Sequence, residues 1–169
     1  MKNMKKILIL VVLFSGFAAS SFAQATGTAS ASATIITPIS IAKNTDMNFG
    51  NIAVNATPGT VILATAGTRT KTGGVTLPAT AGTVTAAQFT VTGANSTTYA
   101  ITLPTSITIS HSTDYMYVDT FISNPLSTGT LDPSTGTQVI KVGATLNVGA
   151  SQAAGVYTNA AFPVTVNYN

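Results

Sequence analysis

Phe162-Pro163-Val164-Thr165-Val166-Asn167-Tyr168 lies near the end of the chain, and its large apolar residues stand at every second position. Successive side chains of a strand point to opposite faces of a sheet, so this period of two predicts a strand with one face buried. The same alternation recurs upstream. Met47-Asn48-Phe49 and Ile52-Ala53-Val54 flank Gly50, and Val75-Thr76-Leu77, Phe89-Thr90-Val91 and Tyr99-Ala100-Ile101-Thr102-Leu103 follow. Ile107-Thr108-Ile109 and Val142 to Val148 complete the set. Pro58-Gly59, Gly73-Gly74, Gly93-Ala94-Asn95, Asn124-Pro125 and Asp132-Pro133 punctuate these runs as expected turns. No apolar stripe of helical period is present beyond the leader, although Ala150 to Ala154 has the length of one helical turn. Many short strands at turn-limited spacing predict an all-β fold, an antiparallel β-sandwich.

Composition agrees and narrows the chemistry. The 169 residues are 45% hydrophobic and only 7% charged, with one histidine and no cysteine or tryptophan. Threonine, valine and isoleucine abound, and their branched side chains fit a pleated surface better than a helix. Glutamate is absent, leaving Asp46, Asp114, Asp119 and Asp132 as the acidic side chains. Acid–base catalysis and metal binding need clustered Asp, Glu, His or Cys, so the sequence predicts neither an enzyme nor a cofactor or metal site.

Residues 1–23 read as a secretory signal peptide. Lys2, Lys5 and Lys6 precede the apolar run Ile7 to Phe14, and Ser21-Phe22-Ala23 places small residues before a cleavage point. The run is shorter than the roughly 20 residues that span a bilayer. The expected destination is the periplasm, the cell surface or an extracellular fibre. Beyond residue 23 the charges balance, with Lys43, Arg69, Lys71 and Lys141 against the four aspartates, so the formal +3 belongs to the leader. A neutral surface argues against a nucleic-acid partner and suits association with copies of itself.

The stretch Gln24 to Ser32, Gln-Ala-Thr-Gly-Thr-Ala-Ser-Ala-Ser, holds small residues at alternate positions, with bulky ones first at Ile35 and Ile36. Two readings stay open from composition: a flexible tail, or a strand that finds its sheet on another subunit. The domain boundaries expected are 24–33 for this extension and 34–169 for the β-sandwich.

Three blocks together carry a resemblance. They are Ala33-Thr34-Ile35-Ile36-Thr37-Pro38-Ile39-Ser40-Ile41 with Met47-Asn48-Phe49-Gly50-Asn51-Ile52, then Val142-Gly143-Ala144-Thr145-Leu146-Asn147-Val148, then Gly155-Val156-Tyr157 leading to Phe162–Tyr168. The chain resembles an uncharacterised family of secreted bacterial β-domains, domain of unknown function 4402, which is similar to spore coat protein U and archaic chaperone–usher pilin domains. Pilin-like proteins end in an apolar alternating strand with a penultimate tyrosine and a glycine about fourteen residues earlier; here Tyr168 is penultimate and Gly155 precedes it by thirteen. The resemblance implies an immunoglobulin-like sandwich lacking its final strand. It also implies a periplasmic chaperone, an outer-membrane usher and donor-strand exchange between copies. On that reading Ala25, Gly27, Ala29, Ala31, Ala33 and Ile35 form the candidate donor strand. Gly155, Tyr157, Phe162, Val164, Val166 and Tyr168 edge the candidate acceptor groove. Two departures stand out: the chain has no cysteine where those relatives carry a disulfide, and its donor stretch has Ala25, Ala29, Ala31 and Ala33 where larger apolar anchors would help.

Catalytic look-alikes fail on context. Ser40-Ile41-Ala42-Lys43, Lys71-Thr72-Gly73 and Tyr157-Thr158-Asn159 imitate the elements of penicillin-recognising serine enzymes, but the serine tetrad sits in a strand-like stretch and the order is wrong. His111 in Ser110-His111-Ser112-Thr113-Asp114 has its would-be triad partners as sequence neighbours, so an exposed loop histidine is expected. Asn44, Asp46 and Asn48 alternate like calcium ligands, yet offer one carboxylate and no bidentate glutamate. Tyr99, Tyr115, Tyr117, Tyr157 and Tyr168 fit either strand packing or a sugar-stacking platform. The expected function is a structural subunit of a bacterial surface fibre, pilus or coat. The alternative is a self-contained secreted or cell-surface β-sandwich that binds a ligand, a carbohydrate adhesin being the leading form.

Overall fold

The computed structural model describes residues 24–159 and 161–169, so the signal peptide expected at 1–23 lies outside the described residues. The chain divides into two units, residues 1–34 and 35–169. In the first, residues 24–34 carry no strand and are exposed. The second holds ten strands: β1 (Ser40–Thr45), β2 (Ala53–Leu63), β3 (Arg69–Thr76), β4 (Ala87–Thr92) and β5 (Thr98–Thr102), then β6 (Ser106–His111), β7 (Asp114–Asn124), β8 (Thr128–Thr130), β9 (Thr137–Val148) and β10 (Thr165–Tyr168). Among the described residues there is no helix, and every strand pairing is antiparallel. Two sheets form a β-sandwich, as the alternating runs predict, and it is immunoglobulin-like, as the resemblance implies.

β9 organises the larger sheet. Its inward residues Ile140, Val142, Ala144, Leu146 and Val148 are buried, whereas Val139 and Lys141 face solvent. Twelve residues make β9 long enough to serve two neighbours on one edge: Thr137–Val142 pairs with β4, and Ala144–Val148 pairs with β2. β7 pairs along residues 141–147 of β9, and β6 and β3 lie outside β7 and β2. β1 adds to β4. The smaller sheet is ordered β10-β5-β8.

The core accordingly has two parts. One joins β4, β5, β9 and β10 through Phe89, Val91, Tyr99, Ile101, Ile140 and Val166, so that sheet packs on sheet. The other gathers Val61, Val75, Met116, Val118, Leu146 and Val148 on the inner face of β2, β3, β7 and β9. What lies over it is mostly loop: Met47, Phe49, Ile52, Leu77 and Tyr157 pack against it half-buried.

Several expectations are corrected. Pro58-Gly59 and Gly73-Gly74 are not turns but lie inside β2 and β3, facing one another where the pairing slips between Val54 and Gly59. The extra length is absorbed as a bulge: Asn55 Oδ1 accepts from the Thr57 amide at 2.8 Å, and Gly73 takes φ 63°, a conformation glycine adopts at no steric cost. Met47-Asn48-Phe49 is no strand, since only Asn48 forms a bridge, to Thr85. Phe162 to Val164 alternate as expected but stay outside β10. Ala150 to Ala154 form no helix. Asp132-Pro133 is the expected turn. The Thr135 amide, the Ser134 amide and the Thr135 hydroxyl all donate to Asp132 Oδ1 and hold its carboxyl below the ordinary range.

Candidate functional site

The inner face of the second core cluster is covered by loops rather than by a sheet, and between them runs a groove of about 1060 Å³ over side chains that are mostly buried. Its floor is Ile107 and Ile109 of β6, Met116 and Val118 of β7, and Leu146 and Val148 of β9. One wall is the segment 47–54 leading into β2, and the other is formed by residues 152–159 with Ala161 and Phe162. The volume stands at the upper end of small-molecule pockets, roughly 300–1,000 Å³, and the floor offers no ionisable group.

Each wall is fastened on the side away from the groove. Asn48 and Thr85 exchange backbone hydrogen bonds at 2.8 and 3.0 Å, and the Asn51 amide donates to Ala81 at 2.7 Å. The Arg69 guanidinium donates to the carbonyls of Phe49 and Asn51. The opposite wall is tied to the end of β6, where Ser110 and Thr158 exchange hydrogen bonds at 2.9 and 3.1 Å. His111 belongs there too. It ends β6 rather than sitting exposed in a loop, and its half-buried ring lies 5.6 Å from that of Tyr157. Gly155 passes directly under that imidazole, and a Cβ at this position would fall on the ring. Tyr157 completes the wall, with its hydroxyl donating to Ala153 at 2.8 Å. At the inner end, Phe162 packs on Phe89 and Phe121 at ring distances of 6.3 and 5.4 Å, which closes the groove toward the other core cluster.

The residues expected at the groove edge thus separate. Gly155, Tyr157 and Phe162 line the groove. Val166 is buried in the sheet-on-sheet core, with Val164 and Tyr168 packed against that same core. The Tyr168 hydroxyl accepts from the Ala94 amide and donates to the Thr37 carbonyl, both at 2.7 Å, so the penultimate tyrosine pins the end of β10 to the approach to β1. Among the expected donor residues, Ala25, Gly27, Ala29, Ala31 and Ala33 are exposed and outside any strand. Ile35 is 97% exposed. The floor residues escaped the sequence reading. Ile107-Thr108-Ile109 is visible there as a strand, but nothing local says that its inner face lacks a covering strand.

The remaining sequence candidates fall to structural roles. Lys43 Nζ bonds Asp46 at 2.7 Å, and Asn48 Oδ1 accepts from the Gly50 amide at 2.8 Å, so the alternating oxygens do not converge on a cation. No cluster of metal-ligating side chains occurs among the described residues. Ser40 and Lys43 lie on a strand, β1. Tyr99 is fully buried, with its hydroxyl donating to Gln138 at 2.7 Å, and burial pushes its phenol up to about 12.

Comparison with known proteins gives a family and nothing finer. No curated protein and no solved structure matches the chain. The family model described as Domain of unknown function (DUF4402) matches residues 39–168, from just before β1 through the end of β10, and the chain belongs to that family.

Proposed function

We propose that this protein is an exported structural subunit of a bacterial surface fibre, pilus or coat, and that its copies assemble by strand exchange. In this reading residues 25–35 of one copy lie extended in the groove of the next. The observation that carries it is a pair of mismatched features. The inner sheet face keeps a groove of about 1060 Å³ with an apolar floor between two more polar walls, and Ile35 stands 97% exposed beside a stretch that carries no strand. A groove with an apolar floor between two chain segments suits an extended segment better than a compact ligand.

The energetics suit gradual zippering. Each main-chain hydrogen bond formed contributes about 0.5–1.5 kcal/mol net. Each alanine methyl contributes about 0.8 kcal/mol and a fully buried isoleucine about 1.5–3 kcal/mol, which makes Ile35 the strongest single anchor. Before assembly the groove needs a temporary cover, the role that a periplasmic chaperone and an outer-membrane usher would fill. The neutral surface of residues 24–169 offers nucleic acid no partner.

Removing residues 24–33 tests the proposal. The shortened chain is expected to fold, to stay monomeric and to bind a synthetic peptide of residues 24–36. Polymers of unchanged length in the shortened chain would overturn it.

A further inference from the structure

The opposite face of the grooved sheet carries a second, unrelated arrangement. On β7, Met116 and Val118 point into the groove, so Tyr115 and Tyr117 point outward, 56% and 49% exposed. Their ring centroids are 5.4 Å apart with planes at 70°. The next outward residue, Asp119, has both carboxylate oxygens engaged: Thr120 Oγ1 donates to Oδ1 at 3.0 Å, and Asn147 Nδ2 donates to Oδ2 at 2.9 Å. Neighbours in register bear hydroxyls, with Ser110 beside Tyr115, Thr108 beside Tyr117, and Ser106 and Thr145 flanking Asp119.

Local backbone strain holds this arrangement. The β7–β9 pairing slips between Asp119 and Ile122, and Thr120 within the slip takes φ 49°. A β-branched residue in the left-handed region is a genuine outlier, and bulges of this kind re-aim a neighbouring side chain. Here the neighbour is Asp119.

We infer that Tyr115, Tyr117, Asp119 and Asn147 form a binding site for a neutral saccharide chain. Two exposed aromatic rings supply apolar faces for the C–H face of a pyranose, and a carboxylate–amide pair supplies directional partners for its hydroxyls. The 70° angle makes the tyrosines a floor and a wall, which suits a single chain rather than a flat crystalline surface. Charge disfavours an anionic saccharide: Asp119 repels anions, and the cation in register on this face, Lys141, stands beyond the bulge opposite Asn124. The site lies on the other side of the sheet from the groove and does not depend on polymer assembly.

Native electrophoresis of the purified protein through gels containing dextran, a mixed-linkage β-glucan, xyloglucan or galactomannan tests the inference. At least one polysaccharide is expected to retard migration. Tyr117→Ala should weaken that retardation about tenfold, the size of one lost aromatic contact. Tyr117→Phe should preserve it, and the double change Tyr115→Ala with Tyr117→Ala should abolish it. Asp119→Asn keeps the shape and removes the charged acceptor, so weaker retardation is expected even if the alanine variants fold poorly. Free migration through all four polysaccharides would overturn the site, as would retardation that neither Asp119→Asn nor the tyrosine changes alter.

Discussion

β9 runs through both halves of this domain, yet its two ends meet different company. Around Thr137–Val142 its inner face packs against the sheet of β5, β8 and β10, and Ile140, Leu131 and Tyr99 are fully excluded from water. Around Ala144–Val148 the same strand, equally apolar, faces loops and a groove. The difference is in what covers the face and not in what it is made of. Valine, isoleucine and leucine prepare both halves for burial, and only one half finds a sheet within the described residues of its own chain. Loops covering apolar residues must satisfy their own backbone groups, which Asn48, Arg69 and Ser110 do on the outer side of each wall. In the proposed assembly the groove between the walls receives an incoming strand.

The sharpest way to break this comparison is to make one substitution in each half. Ile140→Ala should cost about 2–5 kcal/mol, as expected for a cavity in a fully packed core. Ile109→Ala already borders open space and should cost the isolated monomer only about 1 kcal/mol, the transfer value of its half-buried methyls. Urea unfolding of both monomers measures the difference. Equal costs would mean that the groove is as closed as the core. A smaller effect is expected from the wall. Gly155→Ala pushes a methyl onto the His111 ring and should destabilise by about 1–3 kcal/mol by overpacking. His111→Ala in the same chain should recover most of that loss in a thermal melt, because it removes the clash.

Another effect belongs to the closed half and appears only in alkali. The folded state holds Tyr99 protonated up to about 12, whereas an unfolded tyrosine ionises near 10. Between those values the unfolded chain has released a proton that the folded chain retains, so raising pH favours unfolding. Stability should therefore be unaffected by this group below pH 10, fall from pH 10 to 12, and lose that slope in Tyr99→Phe. Chemical denaturation across this range provides the check.

Much of the fold was legible because alternation and burial coincide. Phe89, Val91, Tyr99, Ile101 and the inward residues of β9 all stand at every second place in the sequence and in the core. Local signals failed where a non-local partner decides. Pro58-Gly59 and Gly73-Gly74 have the composition of turns, yet each pair is held in a strand by the other across the bulge. Met47 to Phe49 alternates like a strand, but no strand runs alongside it within the described residues, so it becomes a wall of the groove. Gly155, Tyr157 and Phe162, which the resemblance to pilin-like proteins put at a groove edge, line this groove, whereas the floor from β6, β7 and β9 is assembled by tertiary pairing alone. The outward tyrosines were visible as residues but not as a pair, because the strand length and the bulge of β7 fix which face they take.

Light scattering of the purified protein, residues 24–169, through refolding at rising concentration tests the central claim most directly. If one copy's extension fills another copy's groove, mass should climb with concentration into polymers that persist on dilution and resist denaturant. A folded monomer of constant mass at every concentration would contradict the account and would make the grooved half a finished structure.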